Sequence, residues 1–323
     1  MKQNKFNNFI QLLLRSVAIA IVTAVTFVGS SVVIPQAAQA YPFWAQETAP
    51  ETPREATGRI VCANCHLGKK EAEIEIPQAV TPNSVFEAVV KIPYDLDSKQ
   101  VLGDGSLGGL NVGAVLMLPD GFKIAPDDRI PEEMKAKIDG VYYQSYKEGD
   151  DNVIIVGPLP GEQYQEVVFP ILAPDPTQDK SINFGKYSVH LGANRGRGQV
   201  YPTGEATNNN PVKASVDGVV AAIAPTDTGL EVTLTTAAGE TVETISAPLQ
   251  AVVSVGDTVA KGTLLSNDPN VGGFGQKDTE IVLQNPARIV GLMIFVFGVM
   301  FTQIMLVLKK KQVERVQAAE GLI

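Results

Sequence analysis

Cys62-Ala63-Asn64-Cys65-His66 holds both cysteines of this 323-residue chain. Two thiols separated by two residues, with a histidine directly after the second, form the attachment signature of a c-type haem. The order follows from the chemistry. Two thiols add to the two vinyl groups on one edge of the porphyrin, and the histidine is then held beneath the iron as a nitrogen ligand. What surrounds the string decides the fold. Most single-haem c-type cytochromes are small helical domains, but here β-favouring runs at 85–92, 114–118, 153–156, 165–171 and 186–191 are broken by Gly and Pro. Residues 131–138 read as a short helix, and a turn or two of helix is needed around Cys62. The sequence therefore predicts a mainly β protein: an elongated β-sandwich carrying haem in loops and short helices at one end.

Two other readings of the string are a Cys-x-x-Cys redox pair and half of a zinc site. A redox pair belongs at a helix start in a βαβ context, which the flanking sequence lacks. Zinc needs further ligands, and beyond the string the chain has one other histidine, His190, and no third cysteine.

Working outward, residues 1–40 carry Lys2, Lys5 and Arg15, an uncharged apolar run from Val17 to Val33, Pro35, and Ala38-Gln39-Ala40. This is a three-part export signal with a small-residue cleavage site, although the run is long enough to be read as an uncleaved anchor. The helix-hostile Tyr41-Pro42 favours cleavage, with Tyr41 as the mature start. A second apolar run, 289–308, has only Thr302 and Gln303 as polar side chains. As a helix its length is about 30 Å, the thickness of a bilayer core. A transmembrane helix is read over 286–308. Lys309, Lys310 and Lys311 leave the tail 309–323 on the cytoplasmic or stromal side by the positive-inside rule.

Between the two apolar runs the sequence divides into a large haem-binding domain, 41–208 with a return segment 272–285, and a small β domain, 209–271. The end of the small domain, from Val255 to Gly262, resembles the closing strand pair of lipoyl- and biotin-carrier domains. The lysine those carriers present at a hairpin tip is missing, because none lies between Lys213 and Lys261. Residues 41–288 contain 19 Lys and Arg against 33 Asp and Glu, a net charge of −14. Nucleic acid is excluded as a partner class, and basic or neutral partners are favoured.

The chain resembles the cytochrome f family, the c-type cytochromes of cytochrome b6f complexes, in a cyanobacterial form. The resemblance rests on Tyr41-Pro42-Phe43-Trp44-Ala45, on the haem string, on the run from Gly192 to Gln199, on Asn270-Val271-Gly272-Gly273-Phe274-Gly275-Gln276, and on the C-terminal anchor. It implies one covalently bound haem c and single-electron transport in photosynthesis at the thylakoid membrane, with the large domain in the lumen. Partners implied are cytochrome b6, the Rieske iron–sulfur protein as donor, other b6f subunits, and plastocyanin or a soluble cytochrome c as acceptor. Such a chain is an electron-transfer subunit rather than an independent enzyme.

His66 supplies one axial nitrogen. His190, Met117, Met134 and the α-amino group of Tyr41 are the candidates for the other, and from residue type alone a methionine or His190 is the usual choice. The resemblance points instead to the Tyr41 amine, with the Tyr41 ring and Pro42 packing near the haem. That amine exists only after cleavage at Ala40 and binds iron only when deprotonated. Phe43 and Trp44 can shield the porphyrin from water or serve as ordinary core aromatics. The resemblance assigns Asn194, Gln199 and Asn209 to a chain of buried waters; their types alone read as turn and strand-edge polar residues. Lys69 and Lys70 follow the haem string as docking candidates, and Arg195 and Arg197 read as a second basic pair. The small domain departs from the basic pattern of plant relatives, with two lysines against seven acids. Other function classes are a haem sensor or enzyme with an open iron position, and an exported adaptor built on the carrier-like domain.

Overall fold

The computed structural model describes residues 43–321, so the export signal, Tyr41 and Pro42 lie outside the described residues. The protein is mainly β. One sheet has six strands, in the order Ala79–Val80, Gly273–Leu283, Gly185–Arg195, Asn111–Met117, Val153–Pro160 and Tyr143–Ser145. A second has four, in the order Glu73–Glu75, Val85–Lys91, Glu166–Leu172 and Lys123–Ile124. The two share one core. Val85–Lys91 alternates strictly, sending Phe86, Ala88 and Val90 inward, and its antiparallel partner adds Val167, Phe169 and Ile171. From the six-stranded sheet come Ala114, Leu116, Ile154, Val156, Val189, Leu191, Ala193 and Ile281.

The six-stranded sheet is covered on its other face as well. Val115 and Ile155 pair across Asn111–Met117 and Val153–Pro160, and they point away from the shared core into a cluster with Ile60, Tyr146 and Phe274. Asn111–Met117 is accordingly buried along nearly its whole length, so its sequence reads as a continuous apolar run with no alternation. The cover is the segment that carries Cys62. Gly192 makes room for it: a Cβ there would lie 3.0 Å from Ile60 Cδ1 and 2.9 Å from Phe274 Cζ. Gly273–Leu283 pairs with Gly185–Arg195 over all eleven residues, which returns the chain from the small sheet to the large one before the C-terminal helix.

A separate four-stranded sheet, in the order Gly239–Ser246, Gly229–Thr236, Gly218–Thr226 and Thr258–Val259, has its own core of Val220, Val232, Leu234, Ile245, Val259 and Leu265. The end that suggested a closing strand pair forms only the two-residue strand Thr258–Val259. Short helices occupy Phe43–Thr48 and Glu132–Ile138.

Pro286–Ala319 is a single 34-residue helix, long and apolar enough to cross a membrane and with no residue buried against the rest of the protein. Asn285 caps it, accepting from the N–H groups of Ala287 and Arg288 at 3.0 and 3.2 Å, and Pro286 occupies the first turn, where no donor is needed. The helix runs through Lys309–Lys311 to Ala319 because the tail is built of good helix formers, with Lys310 and Glu314 one turn apart at 3.8 Å. Asn285→Ala is expected to fray the first turn and cost about 1 kcal/mol of helix stability. Faster amide exchange at Ala287 and Arg288 would report it, and unchanged exchange would remove the cap from the account.

Candidate haem site

The string begins at a fully buried anchor, Ile60, whose N–H donates to Gln276 Oε1 at 3.2 Å. Gln276 Nε2 in turn donates to the Gly58 carbonyl at 3.1 Å, so one side chain from the returning strand holds both ends of the turn before the string. Val61–Asn64 then forms one 3-10 turn. The N–H groups of Cys65 and His66 both point to the Cys62 carbonyl, at 3.3 and 3.0 Å, which wraps the second cysteine and the histidine back over the first.

Beyond His66 the chain is clamped to the sheet. Leu67 N–H donates to Gln199 Oε1 at 2.8 Å, and Gln199 N–H donates to the Cys65 carbonyl at 2.7 Å. Phe274 N–H donates to Gly68 O at 2.7 Å, and Lys70 N–H to Phe274 O at 2.8 Å. This close approach needs Gly275, where a Cβ would sit 2.4 Å from the Lys70 carbonyl oxygen. Gly275→Ala is therefore expected to lift residues 68–72 off the strand. A loss of about 1–3 kcal/mol in a denaturant titration would follow, and an unchanged midpoint would contradict the packing.

Burial sets the charge states here. It pushes the Cys62 thiol up to about 12 and raises that of Cys65. Both are held as thiols, the opposite of the low-pKa thiolate that a redox Cys-x-x-Cys pair requires. His66 is buried and is lowered to about 4, first by burial and then by repulsion from Arg195, so its imidazole is neutral at physiological pH. Its Nδ1 is buried with no hydrogen-bond partner, as is Asn209 Oδ1. A neutral buried imidazole beside two thiols that are not joined in a disulfide fits covalent haem attachment with nitrogen ligation. It does not fit zinc, since no group of three or more His, Cys, Asp or Glu among the described residues could hold an ion.

The other candidates separate. His190 is engaged, its Nδ1 lying 2.8 Å from Asp278 Oδ1. Met134 belongs to a different cluster with Ala125, Ile130 and Val168. Met117 packs at the edge of the cluster that holds Cys62. Trp44 meets Tyr201 edge-on at 6.2 Å, and its helix is fastened by the Tyr146 hydroxyl, whose single proton is shared between Ala45 O and Ala49 O, each 2.7 Å away. Tyr41 and Pro42 lie outside the described residues.

Gln199 and Asn209 come together, their amide nitrogens donating to Arg197 O at 3.2 and 3.0 Å. Asn194 is half-buried within its strand, opposite Gly113 and Phe274. Lys69 and Lys70 are exposed beside Leu67, which is 57% exposed. Arg195 and Arg197, read from sequence as a basic surface pair, are buried instead. The turn at Gly196, with φ +70°, folds Arg197 inward. There its N–H donates to Gln100 Oε1 and its Nη1 to Val101 O, both at 2.8 Å. Gln276, Gln100 and Tyr146 had no sequence signal as site residues, because each acts across more than ninety residues of chain.

Comparison with known proteins agrees with this site. Residues 41–196 match the family described as Apocytochrome F, N-terminal, and residues 208–322 match Apocytochrome F, C-terminal. Among similar curated proteins, cytochrome f of Microcystis aeruginosa is 68% identical over 311 residues, covering 96% of this chain and 95% of that one. Cytochrome f of Rippkaea orientalis matches at the same identity and coverage. That of Synechocystis sp. is 64% identical over 307 residues, 95% of this chain and 94% of its own. With both halves matched and the haem string seated on a β-sandwich, the chain belongs to the cytochrome f family.

Proposed function

We propose that the chain is a membrane-anchored one-electron carrier, the haem-bearing subunit of a cytochrome b6f complex in photosynthetic electron transport. It would take electrons from the Rieske iron–sulfur protein and pass them to plastocyanin or a soluble cytochrome c. The observation that carries this is His66, neutral, buried and with Nδ1 unpartnered, one residue from exposed Leu67. A centre ligated there is shielded from water yet close to the surface, as electron exchange with a docked partner requires.

Cys62 and Cys65 would hold one haem c covalently, and His66 and the Tyr41 amine would supply the nitrogens that bind its iron. The bound haem supplies the one-electron couple. The chain orients the imidazole through the 3-10 turn and the Gln199 clamp, and Trp44 with Pro42 would help exclude water. Gln199 and Asn209, with Asn194 nearby in sequence, would order internal waters; the unpartnered Asn209 Oδ1 favours this. Pro286–Ala319 would anchor the chain in the thylakoid membrane beside cytochrome b6, with the large domain lumenal and the C-terminus cytoplasmic or stromal. The reading is tested by adding carbon monoxide to the reduced protein. A six-coordinate carrier leaves the visible spectrum unchanged, whereas a sensor or enzyme with an open position shifts it.

Lys69 and Lys70 would lie at the docking edge. Six of the seven acids of the small domain are exposed: Asp217, Asp227, Glu231, Glu240, Asp257 and Asp268. A basic acceptor is therefore expected to associate faster at low salt, with the rate falling as ionic strength rises. A rate that rises with salt would rule out attractive steering.

A further inference from the structure

Arg195 ends the long strand Gly185–Arg195 and is completely buried, with 0% exposure. Its Nη2 donates to the Glu71 carbonyl, while Nε and Nη1 are buried with no hydrogen-bond partner. The Glu71 side chain, on an exposed residue, offsets the guanidinium charge only in part. Burying a cation and leaving two of its donors unmet is costly, so its retention calls for a use.

Its surroundings indicate that use. The backbone it holds at Glu71 is the segment that leaves His66, and the Gln199 clamp on Cys65 and Leu67 lies four residues farther along the same chain. Arg195 also pairs with Gly273, which packs so closely on the segment leaving His66 that a Cβ on Gly273 would lie 2.2 Å from the carbonyl oxygen of Gly68. Burial brings Arg195 itself down to about 10, which leaves it cationic throughout the neutral range.

We propose that Arg195 is a fixed buried cation that raises the reduction potential of a haem bound through His66. This rests on the haem reading above. Reduction adds one electron to the centre, with no bond made or broken, and so lowers its positive charge by one. A cation in the interior favours the state with less positive charge, and at that depth salt screens it weakly. Arg195 is a positioning residue of the centre's electrostatics and touches no partner.

The test is spectroelectrochemical titration of the full-length haem protein with Arg195→Gln, which removes the charge, and Arg195→Lys, which keeps it. Arg195→Gln is expected to raise the oxidised-to-reduced ratio at a fixed potential about tenfold, a downward shift of about 59 mV for one electron. Arg195→Lys should recover most of that shift. If Arg195→Gln accumulates poorly, Arg195→Met removes the same charge while keeping an apolar stem, and the same shift is expected. A neutral variant with full haem content, an unchanged visible spectrum and the wild-type potential would overturn the proposal. So would an Arg195→Lys potential as low as that of Arg195→Gln. Failure of both neutral variants to take up haem would assign Arg195 to assembly and overturn it too. A wild-type chain without haem would instead remove the functional reading on which the proposal rests.

Discussion

Cys62→Ser with Cys65→Ser is expected to abolish covalent haem, taking the haem-linked signal after denaturing electrophoresis from one group per chain to background. The two thiols are the only ones in the chain, so no alternative tether exists. Each single variant retains one thiol and should keep a weaker, partial attachment. The shared core between the two large sheets contains neither cysteine, so the β-sandwich should form in the double variant. Its far-ultraviolet spectrum is expected to keep the β signature. The damage should be confined to the outer-face cluster of Ile60, Val115, Tyr146, Ile155 and Phe274, against which Cys62 packs. Full haem signal in the double variant would show that the string is not the tether.

The largest effect on stability is expected from Phe169→Ala. Phe169 is 0% exposed at the centre of the four-stranded sheet, opposite Ala88, and its ring lies 5.4 Å from that of Tyr143. Truncating it removes a large apolar surface and leaves a cavity between two sheets whose strands are fixed by long ladders, so collapse around it is limited. A loss of about 3–5 kcal/mol is the usual result of such a change. That is a large share of the stability of a domain of this size, and the denaturation midpoint should fall sharply. A change under about 1 kcal/mol would mean that the two sheets do not depend on this packing. Tyr143→Phe is the milder comparison, removing the hydroxyl donated to the Val168 carbonyl while keeping the ring.

What was legible in the sequence follows from how local each signal is. Val85–Lys91 and Glu132–Ile138 could be read directly, because alternation and helix-forming composition are properties of neighbouring residues. The haem string was equally legible, since the chemistry fixes its spacing within five residues. The strand Asn111–Met117 was read from sequence only over 114–118, and its second buried face was not read at all, because the cover arrives from Ile60, some fifty residues earlier. Arg195 and Arg197 were misplaced for a related reason. Charged side chains are ordinarily exposed, and only the strand pairing and the turn at Gly196 carry these two inside. The Gln276 contact with Ile60 spans 216 residues, and no local pattern announces it. The Tyr41 amine rests on the family resemblance and on a cleavage that composition only suggests.

The most direct measurement of the central claim is the intact mass of the mature, membrane-extracted protein, with the N-terminal residue determined on the same sample. The account predicts a chain that begins at Tyr41 and is heavier than its sequence by one haem, which leaves the α-amine free to ligate. A chain of sequence mass alone, without the haem increment, would contradict it.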